Sequence, residues 1–183
     1  MTKKRLVTGI ALMIALAVPA RSWAQSNEGL PVPGVAPAHD VPNAHEMPDA
    51  KTDYKVLFDV RNAPSKPGDV NPVLETAARY LNTLAKLGVP ASHRHIAVIF
   101  HQGGTPAVLT NEEYKARNHG QDNPNVAIIR ALKQAGVELH LCGQAALAMH
   151  IAPKDMQPEI QLDLWALTTI VNFEMRGYAH IGG

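Results

Sequence analysis

The sequence is short of cysteine, because Cys142 is the only one among 183 residues. A single thiol has no internal partner, so no disulfide within the chain can stabilise the fold. The thiol is therefore inert and buried, joined to another chain, or kept for its reactivity. Its neighbours favour reactivity, because the segment 137–147 reads as a strand that runs straight into a helix.

Clustered basic residues and metal-binding patterns are also lacking. Binding to a phosphate backbone requires clustered lysine and arginine, which this sequence has only in its first five residues, so we expect no nucleic-acid partner. No His-x₃-His or His-Glu-x-x-His pattern lies on a predicted helix. The closest pair, His93 and His95, sits at a strand entrance, so we expect no metal site and no cofactor.

The N-terminus has the parts of a secretory signal. A basic start at 3–5 precedes an apolar stretch of 13 residues at 6–18, which is too short for a comfortable membrane span. Small residues at Ser22 and Ala24 predict cleavage before Gln25, so residues 1–24 are a predicted signal peptide. We expect a periplasmic protein with no membrane attachment after cleavage. An uncleaved N-terminal anchor is the alternative.

Removing this signal reverses the sign of the net charge. The signal holds four of the 17 basic residues and no acidic residue, which leaves 13 basic and 16 acidic residues in the mature chain. The mature protein therefore carries a net charge of −3 with histidine neutral. The compartment is oxidising, which makes an unpaired thiol more notable.

Residues 25–52 are predicted to be a proline-rich disordered arm. Five prolines lie in this segment, with few large apolar side chains between them to offset the entropy of ordering. His39 and His45 lie there beside acidic residues, which suits either a solvated arm or a weak metal site. The folded domain is predicted at 53–183, which is long enough for a sizeable core.

Strands and helices are predicted to alternate through this domain. The predicted strands are 54–60, 96–100, 137–142, 160–162 and 178–181. The predicted helices are 72–87, a short one after 110, 124–135, 143–150 and 163–176. This order predicts an α/β fold, a three-layer open and mostly parallel sheet of about five strands with helices on both faces. Ligands of such sheets bind beyond the carboxyl ends of the strands, where both His101 and Cys142 are predicted to lie.

The last predicted helix has its apolar residues on one side, which we expect to face the core. These residues are Leu164, Leu167, Ile170, Val171 and Met175. Trp165, Phe173 and Met175 suit either a subunit interface or the helix core.

Two segments carry a resemblance to a known family. One is 122–144, with Gly136-Val-Glu-Leu-His-Leu-Cys142-Gly-Gln144, and the other is 165–178, which ends in Arg-Gly-Tyr178. Together they resemble the DsrE/DsrF-like family, small α/β proteins associated with sulfur metabolism, over about 54–181. The resemblance implies a mostly parallel sheet of about five strands and a homo-oligomer, often a trimer or hexamer.

The resemblance also implies chemistry at one residue. The best understood members carry sulfur as a persulfide on a cysteine at the end of a strand, and Cys142 matches that position. A sulfur donor or acceptor protein is then an expected partner. This chain departs from the cytoplasmic sulfur carriers of the family in its export signal and in the absence of visible relay partners.

A persulfide carrier needs a thiolate, and the residues after Cys142 suit one. A helix that starts there offers unpaired amide donors to an anionic sulfur. Gly143 leaves those amides uncovered, and Gln144 has an amide that can donate to a terminal sulfur. His101 is a candidate to stabilise the thiolate. The alternative is that it is an ordinary histidine at the edge of the sheet, hydrogen-bonded to the loop that follows.

Further candidates lie in the loops after the second strand. Gly103 and Gly104 let backbone amides approach an anion, although a tight turn explains the pair equally well. Tyr114 and Asn123 follow in the next segment and are candidates to cover a ligand. Two functions remain in view at this point. One is a persulfide carrier that uses Cys142, and the other is a non-catalytic oligomeric binding module with an inert buried cysteine.

Overall fold

The computed structural model describes residues 29–66 and 68–182, so the predicted signal peptide lies outside the described residues. Five parallel strands form one sheet in the order β4-β3-β2-β1-β5. The strands are β1 Tyr54–Val60, β2 Arg94–Phe100, β3 Glu138–Cys142, β4 Gln161–Asp163 and β5 Ala179–Gly182. The predicted fold class is therefore confirmed.

Helices connect the strands and cover the sheet. They are α1 Pro72–Lys86, α2 Asn111–Arg117, α3 Val126–Gln134, α4 Gly143–Ala148 and α5 Ala166–Met175. Asn71 caps α1 as predicted, because its side chain accepts a hydrogen bond from the Val73 amide at 3.0 Å. A short 3₁₀ helix, Gln102–Val108, follows β2. Within residues 29–66 and 68–182, no helix combines the length and the apolar character needed to cross a bilayer.

The two faces of the sheet are covered differently. One face packs against α1 and α3 through a large apolar cluster that includes Phe58, Val98 and Leu139. We call it the α1/α3 face. The other, the α5 face, has a small cluster under α5. Its buried members are Leu57, Ala97, Ile99, Cys142, Ala166 and Phe173.

The prediction for the last helix is wrong about which side is buried. The helix begins at Ala166 rather than at 163, and it faces the sheet through Ala166, Thr169 and Phe173. This spacing of three, then four, is one helical stripe. The predicted inward residues Leu164 and Met175 are 75% and 82% exposed. Leu167 and Val171 are exposed as well, whereas Ile170 packs against the α5-face cluster.

Part of the predicted disordered arm contacts α1. Residues 29–52 contain no helix or strand and most of their side chains are exposed, but backbone groups of Val32, Val35 and Ala38 form hydrogen bonds with side chains of α1. Val32 is 1% exposed, and Asn82 of α1 accepts from its amide at 2.9 Å. The Asn82 amide also donates to the carbonyls of Val32 and Val35. The extended backbone is ordered because a side chain satisfies the polar groups that secondary structure would otherwise pair.

Candidate functional site

Cys142 ends β3 and lies on the α5 face, where it is 4% exposed. Its Sγ accepts a hydrogen bond from the backbone amide of Ala166 at 3.2 Å. Ala166 is the first residue of α5, so the amide donor belongs to that helix and not, as predicted, to α4. The sulfur is thus placed at the N-terminus of α5, where the helix dipole favours negative charge.

Asp163, the last residue of β4, and Leu164, which follows it, pass close to the residue after this cysteine. A Cβ on Gly143 would lie 2.5 Å from the carbonyl oxygen of Asp163 and 3.2 Å from that of Leu164. Only glycine therefore lets these two residues pass so close to the end of β3. Gln144 is exposed, and its side-chain amide donates to the Leu164 carbonyl at 3.3 Å. Both residues predicted to bind a ligand thus contact the end of β4 and the residue that follows it.

His101 lies beside Cys142, as predicted from the position of both residues at the carboxyl ends of parallel strands. It continues β2 in extended backbone, with φ −156° and ψ 174°. Phe100 pairs with Leu141 in the sheet, so His101 and Cys142 follow at neighbouring positions of two strands about 4.8 Å apart. His101 is 8% exposed. Among the described residues, the hydrogen-bond partner of its ring is Asp59 and not Cys142.

Asp59 of β1 was missed by the sequence analysis. It is fully buried, and its Oδ1 lies 2.5 Å from His101 Nε2. Its Oδ2 lies 3.4 Å from both Arg61 Nη2 and His180 Nε2. Burial alone would raise the pKa of this carboxyl and is the largest single effect. The hydrogen bond to His101 and the charges of His101, Arg61 and His180 together outweigh it and lower the pKa.

A signal for Asp59 does exist in the sequence. The apolar run 54–60 contains one acidic residue next to its end, where a strand buried on both faces would normally carry an aliphatic side chain. A buried carboxylate is costly without partners, so such a residue indicates partners from neighbouring strands. The structure supplies them from β5 and from the residues that follow β1 and β2.

A second histidine–carboxylate pair lies on the same face. His140 Nδ1 is 3.0 Å from Asp163 Oδ2, and the Thr169 hydroxyl donates to the same oxygen at 2.7 Å. The His140 ring also meets the Phe173 ring edge-on, with centroids 5.2 Å apart. This network joins β3, β4 and α5 below Cys142.

The remaining predicted residues lie elsewhere. Gly103, Gly104 and Tyr114 line a cavity of about 200 Å³ together with Asn71 and Asn125. Tyr114 belongs to the cluster of the α1/α3 face, whereas Cys142 belongs to that of the α5 face. A Cβ on Gly104 would overlap the Val60 carbonyl, so this glycine is required for close packing of the loop.

Asn123 has its hydrogen-bonding capacity used within the fold. It is 5% exposed, and its amide donates to the carbonyls of Ala107 and Leu109 at 3.0 and 2.7 Å. Its carbonyl oxygen accepts from the backbone and side-chain amides of Asn125. The structure therefore does not bring Asn123 to Cys142. In the described ranges, no three His, Cys, Asp or Glu side chains converge as a metal ion would need.

Comparisons with known proteins agree with this architecture. The structure resembles that of MTH1491, a protein of unknown function from Methanobacterium thermoautotrophicum, with a TM-score of 0.53 and 18% identity. The match covers 72% of this chain and all of that one, and at this identity it supports the fold alone. No curated protein sequence matches. The model of the DsrE/DsrF-like family matches residues 55–182, which span nearly all of the sheet and its helices. The chain belongs to the DsrE/DsrF-like family, and this membership indicates a role related to sulfur metabolism.

Proposed function

We propose that this protein handles sulfur in the periplasm by carrying sulfane sulfur as a persulfide on Cys142. One observation supports this assignment above the others. The Cys142 sulfur accepts the Ala166 amide at the start of α5 and lies beside His101 at the carboxyl end of the sheet. A helix N-terminus and a neighbouring imidazole are the surroundings that favour a thiolate.

The proposed transfer needs no oxidant. The Cys142 thiolate attacks the outer sulfur of a donor, which is either thiosulfate or a protein persulfide. A bond forms between the Cys142 sulfur and the outer sulfur, and the bond inside the donor breaks. Its electron pair leaves with sulfite or with the donor thiolate. An acceptor thiolate then attacks the outer sulfur of Cys142, which leaves as a thiolate, and the carrier is restored.

The geometry also sets a condition on this chemistry. Cys142 is 4% exposed, and Asp163 and Leu164 lie against Gly143 and Gln144, the two residues that follow it. A donor therefore reaches the sulfur only when residues around it move. Asp163 is held firmly, because it pairs with Cys142 in the sheet and binds His140 and Thr169. Leu164 has a weaker attachment, since the Gln144 bond to its carbonyl is 3.3 Å long and exposed.

The same burial supports the second candidate function. Ile99, Ala166 and Phe173 surround the sulfur with apolar groups, and cysteine often behaves as a small buried hydrophobe. In that case the protein is a non-catalytic binding module. The two functions differ in one measurable property, which is the reactivity of Cys142 in the native protein.

Intact mass spectrometry tests the carrier function. The processed native protein is incubated with thiosulfate or with polysulfide, and a gain of about 32 Da, one sulfur atom, is expected. Cys142→Ser is the matched control and gains nothing. Reduction with dithiothreitol should remove the added mass. An unmodified mass with both donors, together with a thiol that iodoacetamide reaches only after denaturation, would favour the binding module.

Assembly into a homo-oligomer, a trimer or hexamer, is a further part of this proposal. The outer side of α5 exposes Leu167, Val171 and Met175, and Leu164 is exposed just before this helix. Leu147 of α4 and Leu162 of β4 are exposed as well. Several large exposed apolar side chains on neighbouring elements are typical of an interface. Light scattering coupled to size exclusion measures the mass of the assembly, and a monomer at micromolar concentration would contradict the proposal.

The location is proposed from the predicted signal at 1–24. Sequencing the N-terminus of the protein released from the periplasm should begin at Gln25. Recovery of the full-length chain in the membrane fraction would instead support the uncleaved anchor. A sulfur donor or acceptor protein is the expected partner, and a mixed disulfide trapped by Cys142 would identify it.

A further inference from the structure

Asp59 is a charged residue at a fully buried position, where apolar packing cannot account for a carboxylate. It is 0% exposed, and it occupies a strand position that points to the α5 face between Leu57 and the end of β1. Its neighbour in the sheet on β2 is Ile99, an aliphatic residue. A charged group at such a position costs stability unless its partners compensate for lost hydration.

The partners of Asp59 come from both sides of β1. His101 follows β2 and binds Oδ1 at 2.5 Å, whereas His180 of β5 lies 3.4 Å from Oδ2. Arg61, about half exposed, lies 3.4 Å from Oδ2 as well. A carboxylate with a lowered pKa is ionised at neutral pH and accepts hydrogen bonds without donating any. The nitrogen of His101 that faces Asp59 must therefore carry the hydrogen.

That constraint determines what the other nitrogen of His101 does. When Nε2 donates to Asp59, the neutral ring has its lone pair on Nδ1. His101 and Cys142 directly follow the paired residues Phe100 and Leu141, so their backbones are adjacent, and among the described residues the ring of His101 hydrogen-bonds to Asp59 and not to the Cys142 sulfur. We propose that Asp59 is a positioning residue that fixes His101 as a base toward the Cys142 thiol. This inference rests on the proposed sulfur-carrying function and assigns the group that prepares its thiolate.

The proton step is balanced within the protein. The Cys142 S–H bond breaks, its electron pair stays on sulfur, and the proton moves to His101 Nδ1. The imidazolium that forms donates Nε2–H to Asp59, whose charge stabilises it. The thiolate keeps the hydrogen bond from the Ala166 amide. No oxidant, reductant or cofactor takes part in the step.

Other titratable groups face the same region from each element around it. They are Arg61 after β1, His140 of β3, Asp163 of β4, Glu174 of α5 and His180 of β5. Glu174 contacts the other ring nitrogen of His180 at 3.1 Å and has no contact with His101. Glu174 is therefore a matched control. It is a carboxylate near the same face, and it reaches the proposed proton relay of Asp59, His101 and Cys142 only through His180.

The test compares rates of Cys142 alkylation by neutral iodoacetamide at pH 7 and pH 10 in the processed native protein. For Asp59→Asn we expect about a tenfold loss of rate at pH 7. Without the Asp59 charge, proton transfer from Cys142 to His101 becomes less favourable by about 1.4 kcal/mol, which corresponds to a factor of ten. At pH 10 hydroxide removes the proton without help, and the loss should shrink to about twofold or less. Glu174→Gln should match the wild type at both values.

Any other result of the alkylation test overturns the inference. An equal loss at both pH values indicates altered access to the sulfur, and no loss at either indicates that Asp59 serves structure alone. If native wild-type protein is not alkylated at any pH, the relay and the carrier function fall together. An alkylation pattern as expected, without any gain of about 32 Da from sulfur donors, would remove the carrier function and leave the relay.

A measurement on the wild type covers the case in which Asp59→Asn does not fold. Nitrogen-15 chemical shifts of the His101 ring, assigned by comparison with His101→Gln, report which nitrogen carries the hydrogen. The expected neutral form has hydrogen on Nε2 and none on Nδ1. The opposite form would contradict the inference, because Nδ1 would then have no lone pair for the thiol proton.

Discussion

The two faces of the sheet bury their strands in opposite ways. On the α1/α3 face, residues such as Phe58, Val98 and Leu139 meet two helices and form a continuous apolar layer. On the α5 face, a small apolar cluster shares the space with buried Asp59 and His101. Successive residues of one strand therefore contribute to an apolar layer and to a layer that contains buried ionisable groups. The first layer supplies most of the apolar core, and the second contains the residues to which we assign the proposed chemistry.

The largest expected effect concerns the apolar layers themselves. Leu139 and Ile99 are both fully buried on adjacent strands but face opposite sides. Truncation to alanine should cost about 4 kcal/mol for Leu139 and about 2–3 kcal/mol for Ile99, because a thin layer relaxes more easily around a cavity. Urea unfolding measures both values. Equal costs, or a larger cost for Ile99, would contradict the contrast between the faces.

The second prediction concerns the close contact of Gly143 with Asp163 and Leu164, next to Cys142. Gly143→Ala places a methyl group 2.5 Å from the Asp163 carbonyl, so residues 163–165 must move outward. We expect a loss of about 1–3 kcal/mol in unfolding free energy and faster alkylation of Cys142 by iodoacetamide. Gly182→Ala is the control, since a methyl group there meets no atom within 4 Å. Unchanged alkylation of Gly143→Ala would show that these residues do not limit access.

A third, smaller effect is the contribution of Asp59 to stability as a function of pH. Its pKa is lower in the folded protein than the ordinary value of 3.8, so it stabilises the fold above that value. This stability is lost as the pH falls below 3.8 through the folded pKa. The difference in unfolding free energy between wild type and Asp59→Asn should therefore shrink on acidification from pH 5 to pH 2. A difference independent of pH would contradict this assignment.

The smallest expected effect on folding is at the exposed side of α5. Leu167 is 52% exposed, so Leu167→Glu should change unfolding free energy by about 0.5 kcal/mol or less. If this side forms the proposed interface, the same substitution should lower the mass of the assembly in light scattering. Thr76→Glu adds the same charge at an exposed position of α1, which packs on the opposite face of the sheet, and is the control for charge alone. Identical masses for both variants and the wild type would place the interface elsewhere.

The sequence predicted the fold better than the site, for a physical reason. Strand β1 and the cap of α1 depend on residues close together in the chain, and both were predicted correctly. The buried side of α5 was predicted wrongly, because most of the large apolar residues in and just before this helix, such as Leu164 and Met175, are exposed. Periodicity finds the apolar side of a helix, and on α5 that side does not face the sheet.

The site depended on contacts between distant segments. The amide that meets Cys142 comes from a residue 24 positions later, and the partner of His101 comes from one 42 positions earlier. No local pattern encodes either contact. The neighbouring placement of His101 and Cys142 was predictable, since parallel strands end at one edge of a sheet. The contacts of Ala166 with Cys142 and of Asp59 with His101 were not predictable in this way.

The hydrogen bonds between Asn82 and the backbone of Val32 and Val35 affect where the domain can be truncated. Composition predicts a domain boundary at 53, yet the Asn82 side chain makes three hydrogen bonds to the backbone of Val32 and Val35. A fragment that started at 53 would lose these three hydrogen bonds and would expose the apolar surface on which Val32 is buried. We therefore expect such a fragment to be less stable than one that retains residues 29–52, a proline-rich stretch whose composition alone suggests that it can be removed.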